Sequence, residues 1–115
     1  MLGAFDEEET MFGERIDGAK DLGAARVLPL GRVVATVGAV DLLVGTDTDP
    51  ATFLRRHALG DWGDLCDEDR RNNDEALHVG GRILSAYLVA DTLEKVWVIT
   101  EWDRSVTTLL LAEEY

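Results

Sequence analysis

Cysteine, proline and positive charge are all scarce in this 115-residue chain, and each scarcity excludes something. A single cysteine, Cys66, cannot form an internal disulfide, and a lone thiol suits a reduced, cytoplasmic setting. No apolar run approaches the roughly 20 residues that a membrane helix needs, so no membrane partner is expected. The opening MLGAFDEEET is acidic and has neither the basic start nor the apolar core of a signal peptide. Lys and Arg number 11 against 23 Asp and Glu, a formal net charge of −12. Such a surface repels phosphate backbones and disfavours unaided binding to nucleic acid. No P-loop, GxGxxG, HExxH, CxxC or GxSxG pattern is present. Their absence argues against the common forms of nucleotide hydrolysis, zinc proteolysis and serine hydrolysis, and no cofactor is expected. Asp61, Asp64, Asp67 and Asp69 match no calcium-loop spacing and lack the glutamate at its twelfth position. Helix capping and solvation explain them better than a metal site.

What is present suits one domain with a single core: 46% of residues are hydrophobic and 30% charged. The acids are not evenly spread. Residues 1–24 hold seven acids and two bases, and residues 61–75 hold the same numbers. The first of these stretches reads as an acidic, flexible arm, although Phe12, Ile16 and Ala19 have helical spacing. Residues 25–115 read as the folded domain.

Residues 26–36 are apolar and β-branched but interrupted by Pro29 and Gly31, which fits an edge strand. Thr36 is placed to cap a short helix ending at Gly45. Asp49-Pro50 is a strong helix start, a capping carboxylate followed by proline at the first helical position. That helix reaches Ala58 or Leu59, and Gly60 stops it. A further helix is expected over residues 67–78, opened by Asp67-Glu68-Asp69 and closed by Gly80-Gly81. Its inner stripe is polar where a surface helix would be apolar: Asn73, Asp69, Arg70 and Cys66 lie beneath Ala76 and Leu77. Such a helix either packs lightly or turns a polar network towards the sheet. Beyond Gly81 the period changes to two, and residues 82–90, 95–100 and 106–112 read as strands. The expected fold is therefore α+β: two to three helices followed by a three-stranded antiparallel meander, with residues 26–35 as an N-terminal edge strand. Trp62, alone between two glycines, is expected to fold back as a plug between helices and sheet.

The segments VVATVGA, RHALGDWGDL, DRRNNDEAL, GGRILSAY, WVITEWDRSVTTLLL and the closing EEY also carry a resemblance. Together they resemble a family of small bacterial proteins found on plasmids and integrative elements, often labelled plasmid-related or type I restriction subunit M. The likeness spans about residues 30–115, with departures at Val37 and Ala112, where the family pattern has proline. The restriction label does not suit these residues, since a methyltransferase subunit needs a Rossmann domain and an NPPF/Y-type tetrapeptide. The resemblance implies a protein of a mobile genetic element.

Two function classes follow. In the first the chain is a small acidic binding or regulatory protein of such an element. It would act against host defence by occupying another protein's basic surface, with Asp64, Asp67 and Glu68 at the contact. In the second it is a metal-independent ribonuclease or toxin, active or degenerate, with RNA as its substrate. Helices before a meander, with histidine on a helix and Arg, Ser and Thr on strands, resemble the barnase–EndoU–colicin–RelE class in outline. His57 would be the acid–base group, oriented by Asp61; Arg104 would hold an anion, with Ser105 and Thr107 donating to its oxygens. The structural alternatives are a histidine tying a helix end to its turn, a turn ion pair Asp103–Arg104, and threonines paired across an exposed sheet face. Cys66 is expected to be a buried structural thiol, and His78, at a helix C-terminus, a structural residue.

Overall fold

The computed structural model describes residues 28–115. The acidic arm at 1–24, the Phe12–Ile16–Ala19 stripe and the start of the expected edge strand at 26–27 lie outside those residues. The element order is β1 (Arg32–Ala35), α1 (Val37–Gly45), α2 (Pro50–Ala58), α3 (Asp67–Val79), β2 (Ile83–Leu88), β3 (Lys95–Thr100) and β4 (Val106–Leu111). A 3-10 turn, Ala112–Glu114, closes the chain. The fold is α+β, with three helices and a four-stranded mixed sheet among the described residues.

The helices start where the capping residues place them. The Thr36 hydroxyl accepts from the Ala39 amide at 3.2 Å, and the Asp49 carboxylate accepts from the Ala51 amide at 3.0 Å. At the start of α1 the Thr36 hydroxyl also donates to Glu114 at 2.5 Å, and Gly38 N–H donates to the other oxygen of that carboxylate. Burial works against the Glu114 charge, but donation from Thr36, Leu111 and Gly38 outweighs it and lowers the pKa. The closing residues are thereby tied to the first helix.

β2 pairs with β3 and β3 with β4, both antiparallel, as their period-two patterns and short connections require. The expectation of an antiparallel meander needs one correction. β1 joins the sheet beside β4 and parallel to it, giving the order β1-β4-β3-β2. Nearly the whole described chain separates these two strands, so no tight turn dictates their relative direction. Gly31, at φ 65, brings the entering chain against the 104–105 backbone, where a Cβ would strike the Arg104 and Ser105 carbonyls.

Sheet register sorts the strand residues into two faces. On one, the rows Val33–Thr107–Thr100–Ile83, Ala35–Leu109–Val98–Ser85 and Leu111–Val96–Tyr87 run across the strands. The core cluster is built from this face together with Ala39, Leu43, Phe53, Leu54, Ala58 and Ala76, so all three helices contribute to it. Phe53 stacks on Tyr87 with ring centroids 5.2 Å apart. Trp62 is the expected plug: it is 3% exposed, and its indole N–H donates to Asp74 at 3.0 Å.

The polar stripe of α3 has a specific use. Asn73 is buried and closes two bonds with the Leu84 peptide of edge strand β2, donating to its carbonyl at 2.7 Å and accepting from its amide at 3.2 Å. The next peptide along that edge is met by the chain at 62–64. Ala86 N–H donates to Trp62 O, and Asp64 N–H donates to Ala86 O. Gly63, at φ 79, permits this approach, since a Cβ there would strike the Ala86 carbonyl and the Tyr87 ring. The free edge of β2 is thus capped by an amide side chain and a short backbone bridge. Asn73 and Ala76 are the buried residues of α3, so its first turn projects past the sheet. For that reason Cys66, expected to be buried, is exposed at the helix start. Among the described residues no helix is long and apolar enough to cross a membrane.

Candidate functional site

Four polar side chains stand on or against the otherwise apolar core face, all fully buried: His57, Ser85, Thr100 and Thr107. They form one continuous chain of hydrogen bonds. His57 Nδ1 lies 2.6 Å from Ser85 Oγ, and His57 Nε2 lies 2.9 Å from Thr100 Oγ1. Thr100 and Thr107, directly opposite on β3 and β4, bring their hydroxyls to 2.7 Å. Thr107 then donates to the Leu30 carbonyl at 2.7 Å.

The terminal carbonyl sets the direction of every bond. Leu30 O can only accept, so the single Thr107 proton is spent there and its oxygen accepts from Thr100. The Thr100 proton is spent in turn, so Thr100 accepts from His57 Nε2–H. Nδ1 then carries the lone pair and accepts from the Ser85 hydroxyl. The imidazole is therefore the neutral Nε2–H tautomer, with both nitrogens occupied. Burial, and secondarily the nearby Arg104 charge, lower its pKa to about 3, so it stays neutral at physiological pH. The Trp62 ring closes over it edge-on at 5.8 Å.

The expected partner of His57, Asp61, is elsewhere. Asp61 accepts from Arg56 at 2.7 Å, with both side chains about half exposed, and from Gly63 N–H at 3.2 Å. The Arg56 bond is the main reason its pKa is lowered. The buried hydroxyls of Ser85 and Thr100 replace it at the imidazole because they share the core face that α2 covers.

Arg104 holds no open anion position. At φ 61 its chain turns back, and its guanidinium donates to Gly81 O at 2.6 Å, Ala76 O at 2.9 Å and Glu101 O at 3.2 Å. It therefore ties the end of α3 to the β3–β4 turn. Asp103 pairs with Ser105 instead, accepting from its hydroxyl at 2.6 Å and its amide at 3.1 Å in the exposed turn. Of the candidate residues, His57 and Thr107 come together through Thr100; Asp61 and Ser105 lie apart from them on the surface. The threonine pair is buried rather than on an exposed face.

On the acidic side, Asp64 is paired with Lys95 at 2.9 Å, which lowers its pKa, while Asp67 and Glu68 stand exposed in the first turn of α3. Among the described residues no group of three or more His, Cys, Asp or Glu is arranged to hold a metal ion. No family model, curated protein or solved structure matches this chain.

Three residues of this architecture were absent from the candidate set: Ser85, Thr100 and Asn73. Each carried a signal. Ser85 shares its strand face with Ile83 and Tyr87, and Thr100 shares its face with Val96 and Val98. A hydroxyl on an apolar face must find a buried partner. Asn73 interrupts the inner stripe of α3 for a similar reason.

Proposed function

We propose that this is a non-catalytic binding or regulatory protein of a mobile genetic element, which occupies a basic surface on a partner protein through the start of α3. The observation that carries the choice over the ribonuclease alternative is the state of His57. A general acid–base group must reach substrate with a free nitrogen, and this imidazole is sealed in the core with both nitrogens bonded. Arg104, similarly, spends its donors on backbone carbonyls. The acids are arranged differently. The first turn of α3 presents Asp67, Glu68 and Asp69 to solvent, beyond the part of the helix that Asn73 and Ala76 anchor. Because Asp64 is already neutralised by Lys95, those three carry most of the contact. Interference with a host defence protein fits the plasmid-borne family that the chain resembles.

Two measurements test this reading. Partners cross-linked to the chain in cells and then identified should include a protein with a basic face. Their binding should weaken steeply with salt and be lost in Asp67→Lys/Glu68→Lys/Asp69→Lys. Incubation of the purified protein with labelled RNA should give no cleavage. Chelator-resistant cleavage that disappears in His57→Ala would overturn the reading.

A further inference from the structure

An open cavity of about 360 Å³ lies where β3 begins and β4 ends, lined by Leu93, Glu94, Lys95, Trp97, Ala112 and Glu113. Two pinned turns and one strand build it. In the β2–β3 turn the Thr92 hydroxyl donates to Val89 O at 2.7 Å and accepts from Glu94 N–H at 3.0 Å, while Val89 N–H donates to Glu94 O at 3.0 Å. In the closing 3-10 turn the Glu114 carboxylate is spent on Thr36, Gly38 and Leu111, which holds its neighbours Ala112 and Glu113 in place. Trp97, half-buried on β3, completes the wall, with Tyr115 tilted against it at 5.4 Å. The Tyr115 hydroxyl accepts in turn from Arg82 at 2.6 Å, so the aromatic pair is itself held.

We propose that this cavity binds the guanidinium group of an arginine side chain on a partner protein. Three observations select that chemistry. The first is charge. Glu94 and Glu113 are exposed, and neither side chain has a hydrogen bond or ion pair to a described residue. Lys95, the base in the lining, is already neutralised, its ammonium lying 2.9 Å from Asp64. An anion entering here meets two carboxylates and no free cation, whereas a cation is attracted. The second is the aromatic wall. An indole face attracts a cation, and a planar guanidinium stacks on it while its edge donates to carboxylates, which a compact ammonium cannot do. The third is size. The volume sits near the low end of the roughly 300–1,000 Å³ of small-molecule sites, suited to one long side chain whose methylenes rest on Leu93 and Ala112. Because both turns are fixed before binding, little order is left to lose. The source of the arginine rests on the basic partner proposed above, but the cavity does not use the start of α3.

Titration of the isotope-labelled full chain with N-acetyl-arginine amide tests it, read at the Trp97 indole N–H signal, which is assigned by its loss in Trp97→Phe. A saturable shift, half-complete below about 10 mM, is expected. Glu94→Gln/Glu113→Gln, both at exposed positions, should weaken binding at least about tenfold with the rest of the spectrum unchanged. N-acetyl-citrulline amide, which keeps the shape without the charge, should bind as weakly to the parent chain. N-acetyl-lysine amide should bind at least about threefold less tightly than the arginine probe. Asp67→Lys/Glu68→Lys/Asp69→Lys should leave the titration within about twofold, so that failure of the α3 contact and failure of this site are read separately. The proposal is overturned by the lack of a saturable shift, by equal binding of the citrulline or lysine probe, by an affinity unchanged in the double glutamine variant, or by one that follows the α3 charges.

Discussion

Replacing His57 with glutamine should remove a specific part of the pH dependence of stability. In the folded chain the imidazole titrates at about 3, against 6.5 when free of its surroundings, because burial and then Arg104 disfavour its cation. Above pH 6.5 it is neutral in both folded and unfolded chains and has no effect on the balance. As pH falls from about 6.5 towards 3, only the unfolded chain takes up the proton. Stability is then lost by about 1.4 kcal/mol per pH unit. Integrated from pH 7 to pH 5, the loss is about 2 kcal/mol. Glutamine can donate to Thr100 from its amide but does not titrate. At pH 7 it should lower stability by about 1–3 kcal/mol, because the Ser85–imidazole bond is disturbed. The quantity of interest is the difference in slope. Asp61, Asp64, Asp103 and Glu114, whose pKa values lie below their ordinary range, are present in both chains and cancel. Urea midpoints at pH 7, 6 and 5 suffice: the parent should lose about 2 kcal/mol more than His57→Gln over that interval. Parallel curves would mean that the imidazole protonates in the folded state and is not sealed as described.

Trp62→Ala should cost about 3–5 kcal/mol, since it empties the space over His57 and strands its bond to Asp74; a thermal melt matching the parent would contradict this. Thr107→Val preserves shape but removes the donor to Leu30 O and the acceptor for Thr100, and should cost about 2 kcal/mol by urea titration. Asn73→Leu should cost a similar amount and speed hydrogen exchange at the Leu84 amide at least tenfold, because that strand edge loses its cap.

The parts of this fold written in local chemistry were legible in the sequence. Thr36 and Asp49-Pro50 announce their helices through bonds that span two or three residues. The alternation Val96, Val98, Thr100 against Trp97 and Ile99 places the β3 side chains on their observed faces. What resisted reading depends on contacts between distant segments. Asp61 was the natural partner for His57 because it lies four residues away, yet Ser85 and Thr100 lie 28 and 43 residues away and meet the ring. Arg104 reads as an anion holder until the turn at φ 61 aims its guanidinium at carbonyls from the end of α3. The parallel pairing of β1 with β4 has no local signature at all, as no short connection encodes it.

The buried relay also explains why so small a sheet holds one register. Its members come from α2, β2, β3 and β4, and its last acceptor lies just before β1. A one-residue slip of β3 would carry Thr100 to the outer face, leave Nε2–H without an acceptor and the Thr107 oxygen without its donor, and expose Val98. Apolar contacts alone would tolerate many near-equivalent alignments of Val, Ile and Leu. A directional chain ending at a fixed carbonyl tolerates one, because each hydroxyl has a single proton and the imidazole a single N–H. Histidine suits this position for a reason unrelated to acid–base catalysis. It is a rigid, neutral spacer with a donor on one edge and an acceptor on the other, spanning the gap between the Ser85 and Thr100 hydroxyls on adjacent strands.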